Sequence, residues 1–147
     1  MDRIDREIVA ALVEDGRRSV QDVAGRVHLS ASATRDRMRR LERDGPLTGY
    51  TATLDPAASG FHVQALVEIE MMPGTDPLVF EAGLRDTAAV VEALHATGNN
   101  DYVVRVLCRD TAELHEVVRG FKTRLRAAHT MTRVVLEASV PARPRLP

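Results

Sequence analysis

Apolar residues recur every three to four positions at the start of the chain and every second position beyond residue 60. The sequence therefore divides into a helical part and a sheet-forming part. Ile4, Ile8 and Leu12, broadened by Val9 and Ala11, predict an amphipathic helix over about residues 3–14. Asp15-Gly16 ends it, because glycine accepts the left-handed geometry of a helix C-terminus at little cost. Ser19 followed by Asp22 is close to a capping box, and Val20, Val23, Ala24 and Val27 form the stripe of a second, short helix. His28-Leu29 is the turn, and Ser30 is the next N-cap. Thr34, Met38 and Leu41 then mark a third helix running to about Asp44, where Gly45-Pro46 stops it. Three helices of this length, joined by turns this tight, have the layout of a helix-turn-helix.

The next stretch, Leu47–Leu54, reads as extended: a small wing, or the first part of a linker. Asp55-Pro56 and Ser59-Gly60 are turn signals and place a domain boundary there. From Phe61 to Met71 apolar and polar residues alternate, with Leu66 the clear exception, which predicts a strand with one buried face. Asp76-Pro77 starts a helix with Val79, Phe80, Gly83 and Leu84 facing inward. Val90–Ala96 and Tyr102–Cys108 are strands of a hairpin around Gly98-Asn99-Asn100-Asp101. Thr111 caps a helix that buries Leu114, Val117, Val118, Phe121 and Leu125, and Thr132–Val140 is the last strand. The order βαββαβ is the split, ferredoxin-like arrangement, so the class is α+β. The expected division is a three-helix, winged helix-turn-helix over residues 1–54, a linker over 55–60, a ferredoxin-like domain over 61–140 and a Pro-rich tail over 141–147. Two helices cover one face of the four-stranded sheet. The other face has nothing in the chain to cover it, which predicts face-to-face pairing with a second copy.

Composition narrows the function. A single cysteine, Cys108, excludes an internal disulfide and fits a reducing compartment. No secretory pattern and no apolar run long enough to span a bilayer is present, so the expectation is a soluble cytoplasmic protein without a membrane partner. The five histidines show no metal-ligand spacing, and no Gly-rich phosphate loop, nucleophile elbow or paired-carboxylate motif occurs. Neither an enzyme nor a cofactor or metal is expected. Net charge is −1, yet Arg26–Arg43 carries six arginines against Asp36 and Glu42, a local +4. Positive charge is focused there, as a reader of duplex DNA requires.

On the third helix Thr34, Met38 and Leu41 face the core, so Ser32, Arg35, Asp36 and Arg39 occupy the opposite face, with Arg40 and Arg43 on the flanks. Arginine in the major groove bonds two acceptors of guanine at once, whereas flanking arginines and hydroxyls hold phosphates and set register. Arg26 and Ser30 are phosphate candidates, and Arg37 completes the basic helix. Asp36 either orients a neighbouring arginine, accepts a bond from cytosine, or repels phosphate.

The run Ile4-Asp5, Ile8, Leu12, Asp15-Gly16-Arg17, Ser19, Val23-Ala24, Val27, Leu29-Ser30, Arg37-Met38, Arg40-Leu41-Glu42, Gly45-Pro46-Leu47, Gly49-Tyr50 resembles the signature of the Lrp/AsnC (feast/famine) regulators. The likeness continues through Leu54-Asp55-Pro56 and Gly60 into the second half. Two positions depart from the family's pattern: Pro46 replaces a β-branched residue and Thr34 a small apolar one. The resemblance implies a transcription regulator that binds double-stranded DNA, forms homodimers that assemble further, for example to an octamer, and answers to an amino acid or a similar small molecule at the oligomer interface. It also implies an effector site. Gly98, Asn99, Asn100 and Asp101 stand where the family carries a Gly-x-aromatic-Asp turn, and Asn100 replaces the aromatic residue. Backbone N–H groups of such a turn suit an α-carboxylate and Asp101 an α-ammonium. Thr130 and Thr132 match hydroxyl-bearing positions at the start of the last strand, a second wall of that site. Two other readings compete: a siroheme decarboxylase-like enzyme subunit, since those subunits resemble this family in both domains, and an architectural DNA binder indifferent to ligands.

Overall fold

In the computed structural model, which describes residues 1–137, the chain separates into two compact units that divide between Thr53 and Leu54. The first unit holds α1 (Arg3–Glu14), α2 (Val20–Val27) and α3 (Ala31–Arg43). Each helix begins on a side chain that satisfies the free N–H groups of its first turn. Asp2 caps α1 and Ser19 caps α2, both in full capping boxes, and Ser30 caps α3. His28 ends α2 in the left-handed region at φ 54° and so makes the tight turn into α3. Ile8, Val9, Leu12, Val23, Val27 and Leu41 form the core, with Ile4, Leu29, Met38 and Leu47 packed against it. The hydroxyl of Thr34, fully buried, donates to the Ser30 carbonyl at 3.0 Å, so this departure from an apolar residue leaves no unsatisfied polar group.

The expected wing is absent: no strand occurs between Arg43 and Val63. Only Leu47 of that stretch joins the helical core, while Tyr50 and Leu54 are exposed, and the segment has no partner strand with which to form a wing.

The second unit is β1 (Val63–Met71), α4 (Pro77–Arg85), β2 (Val90–His95), β3 (Tyr102–Cys108), α5 (Thr111–Thr123) and β4 (Ala127–Val134), forming one antiparallel sheet in the order β2-β3-β1-β4. Ala65, Val67 and Ile69 of β1 and Tyr102, Val104, Val106 and Cys108 of β3 are buried beneath Phe80 and Leu84 of α4 and Leu114 and Phe121 of α5. The register sets Leu66, Leu94, Val103, Leu107 and Met131 on the opposite face, which explains why Leu66 breaks the alternation. No helix among the described residues is long and apolar enough to cross a membrane.

Several sequence expectations shift. β1 starts at Val63 because the Phe61 N–H donates to the Pro56 carbonyl and closes the preceding turn instead. Val79 is 68% exposed rather than inward, since Phe80 and Leu84, one turn apart, already define the buried stripe. Asp110, not Thr111, caps α5, accepting from the Glu113 N–H at 2.8 Å. β4 begins at Ala127, five residues before Thr132, because Met71 pairs with Ala127 across a bulge at Glu70/Met71. The last three positions of the expected strand and the tail over residues 141–147 lie outside the described residues.

One ionic cluster orients α3. Asp5, only 2% exposed, accepts from the Asp2 N–H, from Arg37 Nη1 at 2.8 Å and, through both carboxylate oxygens, from Arg40 Nη2 at 2.9 and 3.0 Å. Asp2 accepts from Arg37 Nη1 at 2.6 Å. Burial pushes the Asp5 carboxyl up, but the Asp2 N–H, the Arg37 bond and the Arg40 charge outweigh it and hold it below its ordinary value of 3.8. Asp2 is drawn down to about 2, first by the Arg37 bond and then by the Asp5 N–H. Both folded values are depressed, so the stabilisation is complete above the ordinary value of 3.8 and is lost as pH falls toward 2. The first unit should therefore melt lower at pH 3 than at pH 7. Asp5→Asn should cost about 1–3 kcal/mol at neutral pH and shrink that acid sensitivity. Thermal melts of both chains at the two pH values check this.

Candidate functional site

The Asp2–Asp5 cluster divides the arginines of α3. Arg37 and Arg40 lie on the flank of α3 that meets the start of α1, with their guanidinium groups on Asp2 and Asp5. Arg26 is paired with Glu14, and Arg43 with its neighbour Asp44 at 2.8 Å. Arg35 and Arg39 form no ion pair among the described residues, and both are exposed. They share one outward strip of α3 with Ser32 and Asp36, also exposed, because residues three and four apart stack on one helix face. Ser30 sits at the start of that strip, its Oγ accepting from the Ala33 N–H at 3.2 Å. The structure thus brings Ser30, Ser32, Arg35, Asp36 and Arg39 together and holds Arg37 and Arg40 apart from them. The Glu42 carboxylate beyond the strip accepts from the Tyr50 hydroxyl at 2.9 Å and forms no ion pair with an arginine of the strip.

What sequence reasoning missed here is the pairing itself. Asp2 and Asp5 form the capping box at the start of α1, a complete explanation on local grounds. Their partners stand 32 to 35 positions away, and nothing in the spacing announces them.

In the second unit the Gly98–Asp101 turn joins β2 to β3, and Gly98 adopts φ 136°, a region that favours glycine. Asp101 is fastened on three sides. Its N–H donates to the Ile69 carbonyl at 2.9 Å, its carbonyl accepts from the Ala96 N–H at 3.0 Å, and its Oδ2 accepts from the Met71 N–H at 2.7 Å. The second carboxylate oxygen has no donor among the described residues. Asn100 Nδ2 donates to Glu68 Oε2 at 2.9 Å, which ties the turn to β1. Asn99 is exposed. Thr130 pairs with Ile69 and Thr132 with Val67, so the threonines lie on β4, across β1 from the turn. Two strand spacings, about 10 Å, separate them from β3. The turn and the threonines thus share one sheet and do not close a cavity among the described residues.

A cavity of about 560 Å³ does open beside the turn, between α4 and the edge strand β2. Glu81, Arg85, Val91, His95 and Tyr102 contribute to its lining. Tyr102 is 1% exposed, and its hydroxyl donates to Glu81 Oε1 at 3.0 Å. Burial, then the Glu81 bond and charge, push its phenol up to about 12, so it remains a donor at neutral pH. The His95 ring stacks on it at 4.6 Å between centroids. The sequence signal for this cavity was thin: a Glu81/Arg85 pair at i, i+4 and one tyrosine following Asp101. Cys108 is buried, and burial pushes its thiol up. No group of His, Cys, Asp or Glu among the described residues is arranged to hold a metal.

Comparison with known proteins agrees with both halves. The AsnC-type helix-turn-helix domain matches residues 1–42, and the Lrp/AsnC ligand binding domain matches residues 64–144. Relatives include the HTH-type transcriptional regulator LrpA of Mycobacterium tuberculosis, 30% identical over 100% of this chain and 97% of its own length. The leucine-responsive regulatory protein of Salmonella typhimurium is 35% identical over 93% of this chain and 85% of its own. Among solved structures, a feast or famine regulatory protein from M. tuberculosis complexed with L-methionine has a TM-score of 0.93 at 30% identity, covering 99% of each chain. A transcriptional regulator of Neisseria meningitidis, also in an L-methionine complex, has a TM-score of 0.92 at 26% identity over 100% of this chain and 96% of that one. A helix-turn-helix with a basic outward face and a ferredoxin-like unit, each matched by its own family description, leave one conclusion: this chain belongs to the Lrp/AsnC family of transcriptional regulators, with a DNA-binding and a ligand-binding domain.

Proposed function

We propose that the chain is a sequence-specific regulator in which α3 enters the major groove and reads bases with Arg35 and Arg39. The observation that carries this reading is that, of the arginines on α3, these two alone are left without a carboxylate partner among the described residues. Ser32 and Asp36 share their strip, so Asp36 is placed to orient Arg35 or Arg39 or to accept from cytosine. Ser30 and the N-terminus of α3 hold a phosphate, with Arg26 and Arg43 exchanging their exposed intramolecular partners for DNA. Exposed ion pairs are worth little, so that exchange costs little. Arg37 and Arg40 act instead by fixing the rotation of α3 about its axis.

The effector is an amino acid or a close analogue, held at the Gly98–Asp101 turn. The ligand-binding domain match and the L-methionine complexes of two relatives support this, together with the unengaged oxygen of Asp101. Because Thr130 and Thr132 stand apart from the turn in a single chain, the site is completed between subunits. The face carrying Leu66, Leu94, Val103, Leu107 and Met131 supplies the dimer contact, and dimers assemble further. The enzyme reading has less support, since the named relatives are regulators.

Two expected outcomes test the reading. In gel shifts with a selected binding site, Arg35→Ala relaxes base preference, with a loss of about 1–3 kcal/mol of discrimination. Arg43→Ala instead weakens all sequences evenly and flattens the salt dependence. Equal behaviour of both variants to the parent contradicts the assignment of α3. For the effector, Asp101→Asn keeps an acceptor for the Met71 N–H but removes the charge. DNA binding should persist, while the rise in melting temperature given by a stabilising amino acid disappears. An unchanged rise places the ligand elsewhere.

A further inference from the structure

Positive charge collects twice along this chain, not once. Residues 117–136 contain Arg119, Lys122, Arg124, Arg126 and Arg133 and no Asp or Glu, a net +5 that exceeds the +4 of Arg26–Arg43. The other 109 residues carry −10, so the overall −1 conceals two basic regions in an acidic background. The structure separates the five cations of the second region. Arg119 is paired with Glu116 at 2.6 Å and Arg133 with Glu68 at 2.5 Å. Lys122, Arg124 and Arg126 form no ion pair among the described residues, and all three are exposed. They lie within five residues, on the last turn of α5 and its link to β4.

The local backbone presents them outward. Leu125 packs inward, its side chain against Gly83 of α4, which leaves Arg124 and Arg126 on either side of it at the surface. Arg124 ends α5 and lies back over Gly120, where a Cβ would stand 2.5 Å from Nη2, so the missing side chain gives the guanidinium its place. Arg126 adopts φ 62° and its carbonyl accepts from the Met72 N–H at 2.9 Å, which pins the bend to the end of β1. Glycine or asparagine meets that conformation more easily than arginine does. Complementing the helix dipole accounts for Lys122 and Arg124, but not for Arg126 beyond the helix end, nor for twenty residues without one acid.

We propose that the 122–126 bend is a second DNA contact, which binds the phosphate backbone of a duplex without reading its sequence. The proposal rests on the DNA-binding reading of α3: a duplex longer than the footprint of one helix-turn-helix offers further phosphates, and the same polyanion satisfies both basic regions. The surface lacks a groove-entering helix face, so its contribution is uniform across sequences and strongly salt-dependent.

Lys122 is the chain's single lysine, so an amine-acylating reagent read by mass spectrometry reports on this surface directly. The probe is a mixed-sequence duplex of about 150 base pairs, several times the footprint of one DNA-binding module. With the full chain in low salt, the duplex should slow acylation of Lys122 at least about fivefold, and raising salt should abolish the protection. The variant Lys122→Gln, Arg124→Gln, Arg126→Asn should keep its melting temperature. It should bind the long duplex more weakly, with the slope of log affinity against log salt reduced by about 0.9 for each lost phosphate contact. Duplex bound in gel shifts with Lys122 as reactive as before overturns the proposal and leaves the α3 reading standing. No duplex bound at all overturns both. Lys122 unreactive before DNA is added, or protected by phosphatidylglycerol vesicles and not by DNA, shows a different occupant and also overturns it.

Discussion

A buried carboxylate holds Arg37 and Arg40 on one flank of α3 and so decides which face of that helix is turned outward. Asp5 is the one charged side chain buried among the described residues, and it is tolerable there because Arg37, Arg40 and the Asp2 N–H meet its oxygens. The same contacts dock the N-terminal turn of α1 on one flank of α3. Turning α3 so that Arg37 and Arg40 faced outward would strand Asp5 and expose Leu41, so both charge and apolar burial favour a single rotation. With that rotation set, Arg35 and Arg39 have nowhere to point but outward. The basic face is a consequence of packing on its far side.

The second unit shows a comparable division between a satisfied and an unsatisfied face. Helices α4 and α5 cover Ala65, Val67, Ile69, Val104 and Val106, while the reverse of the sheet carries leucines, valine and methionine among the Glu92–Arg105 and Glu68–Arg133 pairs. Ion pairs threaded through an apolar surface suit association with a defined partner and register better than indiscriminate sticking. The Gly98–Asp101 turn is built into the same sheet: Asp101 accepts from the Met71 N–H at the end of β1, and Asn100 reaches Glu68 on the open face. On the proposed reading, a ligand at the turn and a subunit on the open face would touch the same short network.

Much of this was legible in the residues. The helical stripe Ile8, Leu12, Val23, Val27 and Leu41, the caps Ser19 and Ser30 and the βαββαβ order depend on local periodicity and turn chemistry, which sequence records directly. What was not legible depends on distant partners. That Arg37 and Arg40 are held by a carboxylate while Arg35 and Arg39 are not was not legible, because their partner Asp5 lies about thirty residues earlier. Leu47–Leu54 has the composition of a wing and lacks only something to pair with. β4 starts early because a bulge in β1 offers Met71 to Ala127, and alanines announce no strand on their own. The second basic region escaped notice because, read residue by residue, its cations are ordinary members of a helix end and an edge strand. The net +5 itself is legible in the sequence; which of its cations are free depends on partners such as Glu116 and Glu68.

The central claim is that Asp5 and Arg37 act as one unit in setting the presentation of α3. A double-mutant cycle of Asp5→Asn and Arg37→Gln, read in melting temperature and in affinity for duplex DNA, tests it most directly. If the claim holds, either substitution alone removes most of the effect and the double variant loses little more in both measurements. Losses that simply add would contradict it, since they would mean that the two residues contribute independently and that something else orients the helix.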